Sequence, residues 1–290
     1  MIKEFALDPE VLATWENFRY FTEKFGVPKG RLIAEFPGKW RRLVYEAAQR
    51  TAKPVELARI VEKLKQVSSY ILLRRGRPGG DPNLPWLNNA LAEHARDPFY
   101  GIIAMDNARA HPDVLAQIEV DDGAPRFRVA TQIEIERTAP SLVACAAVLL
   151  GNSSRIKWVD HMIDLRQGRW RRPFAAALDL LDTSRGPVIV EVHRGYGNDI
   201  HRINLLDQFG ESFTRLSQNG VSLELYLHPE RLMHDRFILC ELGGLKVGHG
   251  LDDNEEGGSN PVANVLLLDR ELFEVQWRKF SDESLRVLRI

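Results

Sequence analysis

Cysteine is nearly missing from this chain: 290 residues hold two, Cys145 and Cys240, each inside an apolar run. Without partners at metal-ligand spacing, they argue against a disulfide framework or a zinc site and predict buried, reduced thiols. Also missing is any apolar run near the ~18 residues that a membrane span needs. The opening Met1-Ile-Lys-Glu-Phe lacks the apolar core of a secretory signal, so the cytoplasm is the expected location. Neither charge is in excess, since 39 Lys and Arg face 40 Asp and Glu. Net charge therefore gives no reason to attract a polyanion, and that argument has to rest on local patches. No internal repeat is visible. What remains is a composition 44% hydrophobic and 27% charged, that of a globular protein with room for two domains.

Basic residues do gather locally: Lys29 to Arg42, Arg74 to Arg77, and Arg166, Arg169, Arg171 and Arg172. Each cluster alone reads as a solvated face, and the three together point mildly toward a phosphate backbone. Near the start, Asp8-Pro9 has the form of an N-cap with proline at the first helical position, and Val11, Leu12, Trp15, Phe18, Phe21 and Phe25 follow at helical spacing. These aromatics are expected in a core rather than on a stacking platform. Further helices fit Trp40 to Gln49 and Pro54 to Leu72, so the first 75 residues read as all-helical. Arg77 to Asn83 is dense in breakers, Trp86 to His94 resumes a helix, and Phe99 to Met105 suits a buried strand. Arg126-Phe-Arg-Val and Gln132-Ile-Glu-Ile predict an antiparallel pair.

From Pro140 onward the pattern becomes an alternation of helix and strand. Helices are expected at Ser141 to Leu150, Pro173 to Leu181, Leu205 to Gln218 and Leu272 to Phe280. Strands are expected at Arg155 to Ile163, Pro187 to His193, Val221 to Leu227, Phe237 to Cys240, Lys246-Val247 and Val265 to Leu268. Six of the eight histidines fall in this half, and His161, His193, His228 and His234 stand at strand ends or beside them. Strand ends are where α/β sheets present reactive groups. Histidines there also commonly bond loop backbone and nothing more.

The segment His234-Asp-Arg236, four residues, Glu241, six residues, Gly248-His249 resembles the histidine motif of the phospholipase D superfamily, H-x-K, four residues, D, six residues, G-S. The spacing agrees throughout, while arginine, glutamate and histidine replace lysine, aspartate and serine. Asp160-His161 resembles the aspartate-led strand end of such domains, and Val265 to Phe280 the closing strand and helix. The resemblance spans residues 139–290 and implies an α/β fold there, a mixed-sheet phospholipase-D-like domain. A mainly helical domain with a few strands, residues 1–138, is expected to precede it.

That resemblance implies a metal-independent phosphodiesterase, in all expectation a nuclease, with neither metal nor cofactor. His234 would attack phosphorus, Arg236 would clamp the phosphate oxygens, Glu241 would orient a histidine, and His249 would complete the catalytic set. His161, His193, Gly248, Arg169 and Arg171 are the expected substrate contacts. Only one copy of the motif is present although the chemistry uses two histidines. The second would come from a homodimer across a two-fold axis or from His249, His161 or His193 in the same chain. The acidic stretch Asp252-Asp253-Asn-Glu255-Glu256 would repel phosphate if it lined the pocket, which favours an inactive site or a lid. Nucleic acid is the expected partner, with a protein partner for the N-terminal domain, no membrane, and a place in a bacterial defence or DNA-processing system. The competing reading is a catalytically degenerate module for nucleic-acid binding or assembly.

Overall fold

The computed structural model describes residues 1–254 and 260–290, with residues 67–69 as backbone alone. It is a mixed α/β structure whose packing divides into residues 2–130 and residues 131–290 with Met1. No helix among the described residues is long and apolar enough to cross a membrane.

The first unit contains β1 (Lys3–Leu7), α1 (Trp15–Lys24), β2 (Arg31–Ala34), α2 (Trp40–Thr51), α3 (Pro54–Ile71), β3 (Leu72–Leu73), α4 (Trp86–Arg96), β4 (Gly101–Ala104) and β5 (Val114–Ala116). Its five strands are all parallel in the order β3-β2-β1-β4-β5. Phe5, Leu7, Ile33 and Ile103 face α1, α2 and α3, while Ala6, Ala34, Ile102 and Ala104 face α4. The all-helical expectation for the first 75 residues is therefore corrected by β1, β2 and β3. Strands buried on both faces are short apolar runs without alternation, and such runs do not reveal their type. Asp8-Pro9 caps a 3-10 turn, Pro9–Leu12, and α1 starts later under Thr14. Residues 126–129 are not a strand: Phe127 is fully buried, edge-on to Phe5 and Phe25.

The second unit contains β6 (Gln132–Glu136), α5 (Ala139–Leu150), β7 (Arg155–Val159), α6 (Gly168–Leu178), β8 (Val188–Tyr196), α7 (Asp199–Leu216), β9 (Val221–Pro229), β10 (Phe237–Cys240), β11 (Gly243–Val247), β12 (Val262–Leu267), α8 (Arg270–Lys279) and β13 (Arg286–Arg289). They build one mixed sheet, β13-β9-β8-β7-β10-β11-β12-β6. Strands β7, β8 and β9 are parallel, and β10 runs antiparallel to β7 with Phe237 opposite Val159. This arrangement sends the carboxyl ends of β7, β8 and β9 and the amino end of β10 to the same edge.

Period-two alternation separates two chemistries on these strands. Trp158, Val192 and Leu225 share the face on which Trp158 meets Phe174 of α6. The opposite face carries Lys157, Glu191 and Glu224 in one rung and Val159, His193 and Tyr226 in the next. Phe280, just after α8, covers it with its ring against His193 and His228.

Candidate phosphate site at the carboxyl edge

In open α/β sheets, strand carboxyl ends leave backbone loops and side chains free to converge outside the sheet. Here that edge receives Asp160 and His161 after β7, Arg194 and Gly195 in the last part of β8, Glu230 after β9, His234 and Arg236 before β10, and Gly248 and His249 after β11. Asp160 is 1% exposed and organises the edge. Its Oδ1 accepts from Met162 N at 2.9 Å and its Oδ2 from Leu251 N at 2.9 Å. The loop bearing His249 is thereby tied to the end of β7. Gly250 permits the approach: its φ is +123°, and a Cβ there would lie 2.6 Å from Asp252 Oδ1.

Three nitrogens at this edge are buried and lack a hydrogen-bond partner among the described residues: His161 Nδ1, Arg194 Nε and Arg236 Nε. Arg194, 8% exposed, donates through Nη1 to the carbonyls of His161 at 3.3 Å and Ile163 at 2.7 Å. Arg236 donates through Nη1 to the His234 carbonyl at 3.1 Å. Neither arginine has an ion pair among the described residues. Burial pulls the Arg194 pKa below its usual value. Burial also lowers that of His161, helped by the Arg236 charge. Cationic donors left without acceptors in low dielectric are costly unless an anion completes them. His161 Nδ1 is 4.0 Å from Asp160 Oδ1, beyond hydrogen-bond length.

The expected site residues separate into those at this edge and those elsewhere. His234 and His249 are exposed here, His249 at a φ of +64°, and Gly248 bonds Asn264. Glu241 lies beyond the other end of β10. Its carboxylate accepts from Ser154 N at 2.8 Å, Ser154 Oγ at 2.7 Å and Arg155 N at 3.3 Å. Six residues of strand-like chain lie between it and His234, roughly 20 Å, so it orients the start of β7 instead of a histidine.

His193 is also withdrawn: it is 0% exposed, with Nε2 2.9 Å from Glu191 Oε2 and Nδ1 2.9 Å from His228 Nε2. Strand alternation, which carries every second side chain beneath the sheet, takes it out of substrate reach. Arg169 stacks on Trp170 and pairs with Asp252 at 3.8 Å, while Arg171 donates to the Arg166 carbonyl at 3.0 Å.

The acidic loop differs from the expectation of a repelling wall. Asp252 and Asp253 are 5% and 2% exposed, and they pair with Arg137 at 2.6 Å and Arg172 at 3.1 Å. Their charge is neutralised where it sits. Glu255 and Glu256 lie outside the described residues.

Arg194 was not among the residues expected at the site, and neither was Glu230. The available signal was a charged residue directly after the apolar run Val-Ile-Val-Glu-Val-His, at a strand's carboxyl end. The charged rung below, Lys157, Glu191 and Glu224, had a similar signal: ionisable residues inside otherwise apolar strands.

No protein-family model and no curated protein matches the sequence. Among solved structures, TrmBL2, an archaeal chromatin protein described as showing a novel mode of DNA binding, is similar at 11% identity and a TM-score of 0.31, over 58% of this chain and 57% of that one. The present chain thus spans little more than half of TrmBL2. Nuc of Salmonella typhimurium, a phospholipase D family member, is similar at 12% identity and a TM-score of 0.36, over 54% of this chain and 95% of that one.

Proposed function

We propose that residues 131–290 bind a phosphodiester of a nucleic acid at the carboxyl edge of β7, β8 and β9, and cleave it with His234 as nucleophile. The carrying observation is that Arg194 and Arg236, neither ion-paired among the described residues, act together with His161 at the edge that carries the His234–Arg236 segment. A phosphate offers several strong acceptor oxygens and a negative charge, which suits guanidinium groups that have no carboxylate partner among the described residues. Arg236 clamps the oxygens on which charge grows as His234 attacks.

The test is cleavage of labelled single- and double-stranded DNA and RNA in EDTA by the wild-type chain and by His234→Ala. Cleavage that the substitution abolishes, with binding retained, supports hydrolysis. Equal cleavage by both overturns His234 as nucleophile.

A second reading is a binding module that does not cleave, and one observation favours it. Glu241 is spent on Ser154 and Arg155, and the ring of His234 has no acceptor among the described residues to orient it. Under that reading both proteins bind nucleic acid and neither cleaves it, while Arg236→Ala weakens binding.

A further inference from the structure

Residues 2–130 have a carboxyl edge of their own, and open α/β sheets hold ligands at such edges. Beyond β2 the chain runs through Pro37, Gly38 and Lys39 into α2, and beyond β3 it runs through residues 74–85 into α4. These two segments line a cavity of about 740 Å³. That volume is far beyond a single ion and falls within the roughly 300–1,000 Å³ of sites that hold small organic molecules.

The walls are fixed by contacts that leave this space open. The Arg77 guanidinium, 2% exposed, is spent on Glu4 at 2.7 and 3.0 Å and on Glu93 at 2.8 Å. Asn89 of α4 accepts from Asp81 N at 2.9 Å and donates to the Asp81 carbonyl at 2.8 Å. Gly80 permits that approach, since a Cβ there would lie 2.2 Å from Asn89 Cγ. Trp86 donates through its indole nitrogen to the Phe36 carbonyl at 3.4 Å. At Gly38 and Gly79, which also line the cavity, a Cβ would meet nothing within 4 Å.

Three chemistries meet on this lining. Pro37, Leu43, Pro82, Leu84 and Trp86 present apolar surface, and an indole suits a planar ring laid against it. Of Lys39, Arg41 and Arg42, the two arginines pair with Glu35 and Glu46, while Lys39 has no ion pair among the described residues. Lys39 is also the N-cap of α2, whose first turn no side chain caps, so the helix end adds to the attraction for an anion. The Asp81 carboxylate takes Asn83 N at 2.8 Å and Asn83 Nδ2 at 3.0 Å on Oδ1. Its Oδ2 has no protein donor among the described residues. A fatty or aromatic carboxylic acid would answer the apolar wall and Lys39, but it would bring Asp81 no donor and be repelled by it. A nucleoside monophosphate answers all three, with a planar base, sugar hydroxyls that donate, and a phosphate.

We propose that this cavity binds a nucleoside monophosphate, with the base along Trp86, a sugar hydroxyl donating to Asp81 and the phosphate at Lys39. Such a site needs no cleavage by residues 131–290.

The test is calorimetric titration of the full chain with adenosine, guanosine, cytidine and uridine 5′-monophosphate, and with the free nucleosides and inorganic phosphate. At least one nucleotide is expected to bind with a Kd below about 1 mM, and its nucleoside and inorganic phosphate at least about 10-fold more weakly. Lys39→Gln should weaken the nucleotide about 10-fold or more and leave the nucleoside unchanged. Gly79→Leu should abolish binding by filling the cavity, at an unchanged melting temperature; Gly38→Val fills it from the β2 side and replaces Gly79→Leu if that variant melts early. Arg236→Ala should bind as the wild type does. A wild-type chain that binds none of the four nucleotides overturns the site. Binding that survives the filled cavity, or that Arg236→Ala abolishes, puts the nucleotide elsewhere and overturns it too. A nucleotide that binds no tighter than its nucleoside, or equally well to Lys39→Gln, overturns the phosphate contact at Lys39.

Discussion

At the scale of single residues, the buried polar chain beneath the sheet shows how one charge sets the state of its neighbours. Glu191 is fully buried between Arg155, Lys157 at 2.6 Å and His193 at 2.9 Å. Although burial opposes its charge, these partners hold its carboxyl down to about 2. An ionised Glu191 only accepts, so His193 donates from Nε2 and is left to accept at Nδ1 from His228 Nε2. Burial lowers His193 to about 4 and His228 to about 3. Both histidines therefore bind protons more weakly folded than unfolded. Their contribution to stability is complete above pH 6.5, their ordinary value, and is lost as pH falls through about 4 and 3. Urea unfolding should show stability falling by a few kcal/mol from pH 7 to pH 4, with a flatter profile in His193→Gln. Parallel profiles for the two proteins would contradict this account.

The same scale separates the two histidines that strand alternation distinguishes. His161 and His193 both close apolar runs, so their local sequences look alike. His193 lies inside β8 on the face that Phe280 covers, and His161 lies two residues past the end of β7. That difference of a few residues in strand length decides which imidazole meets solvent. A strand's end is set by where its neighbour stops pairing, a non-local property.

At the scale of elements, the long amphipathic and apolar segments of the second half were legible because periodicity and caps act locally. Helix α5 runs Ala139–Leu150 where Ser141 to Leu150 was expected, and β9 runs Val221–Pro229 where Val221 to Leu227 was expected. Asp252 was legible as acidic but not as neutralised, because Arg137 and Asp252 are far apart in sequence and meet only in the fold. Asp160 holds the adjoining segment through Leu251 N. Replacing it by alanine leaves two backbone donors short of their acceptor, at a cost of about 1–3 kcal/mol. Asp160→Ala should therefore melt at a lower temperature and be cut by protease sooner near residues 249–254. An unchanged melting temperature and digestion pattern would show that the tether is dispensable.

At the scale of the whole molecule, the basic clusters lose much of their apparent strength once the partners are known. Arg41 and Arg74 pair with Glu35, Arg42 with Glu46, Arg77 with Glu4 and Glu93, and Arg166 with Asp164. With so many guanidinium groups already paired, nucleic-acid binding should engage few phosphates. A plot of log affinity against log salt is expected to have a slope shallower than about −3, as for two or three phosphates neutralised. A slope near −6 or steeper would require a broad basic surface instead of a confined edge.

The sequence by itself determined the alternating α/β character of residues from 140 onward, the existence and type of most of its elements, and the spacing of His234, Arg236, Glu241, Gly248 and His249. These follow from interactions within a few residues: periodicity, capping and turn chemistry. Only the tertiary structure decided that residues 2–130 hold a parallel sheet, that Glu241 and His193 leave the edge where His234 lies, and that Arg194 and His161 join it. Those outcomes depend on which strands become neighbours and where their pairing stops, and burial on both faces of a strand erases the pattern from which a linear reading works.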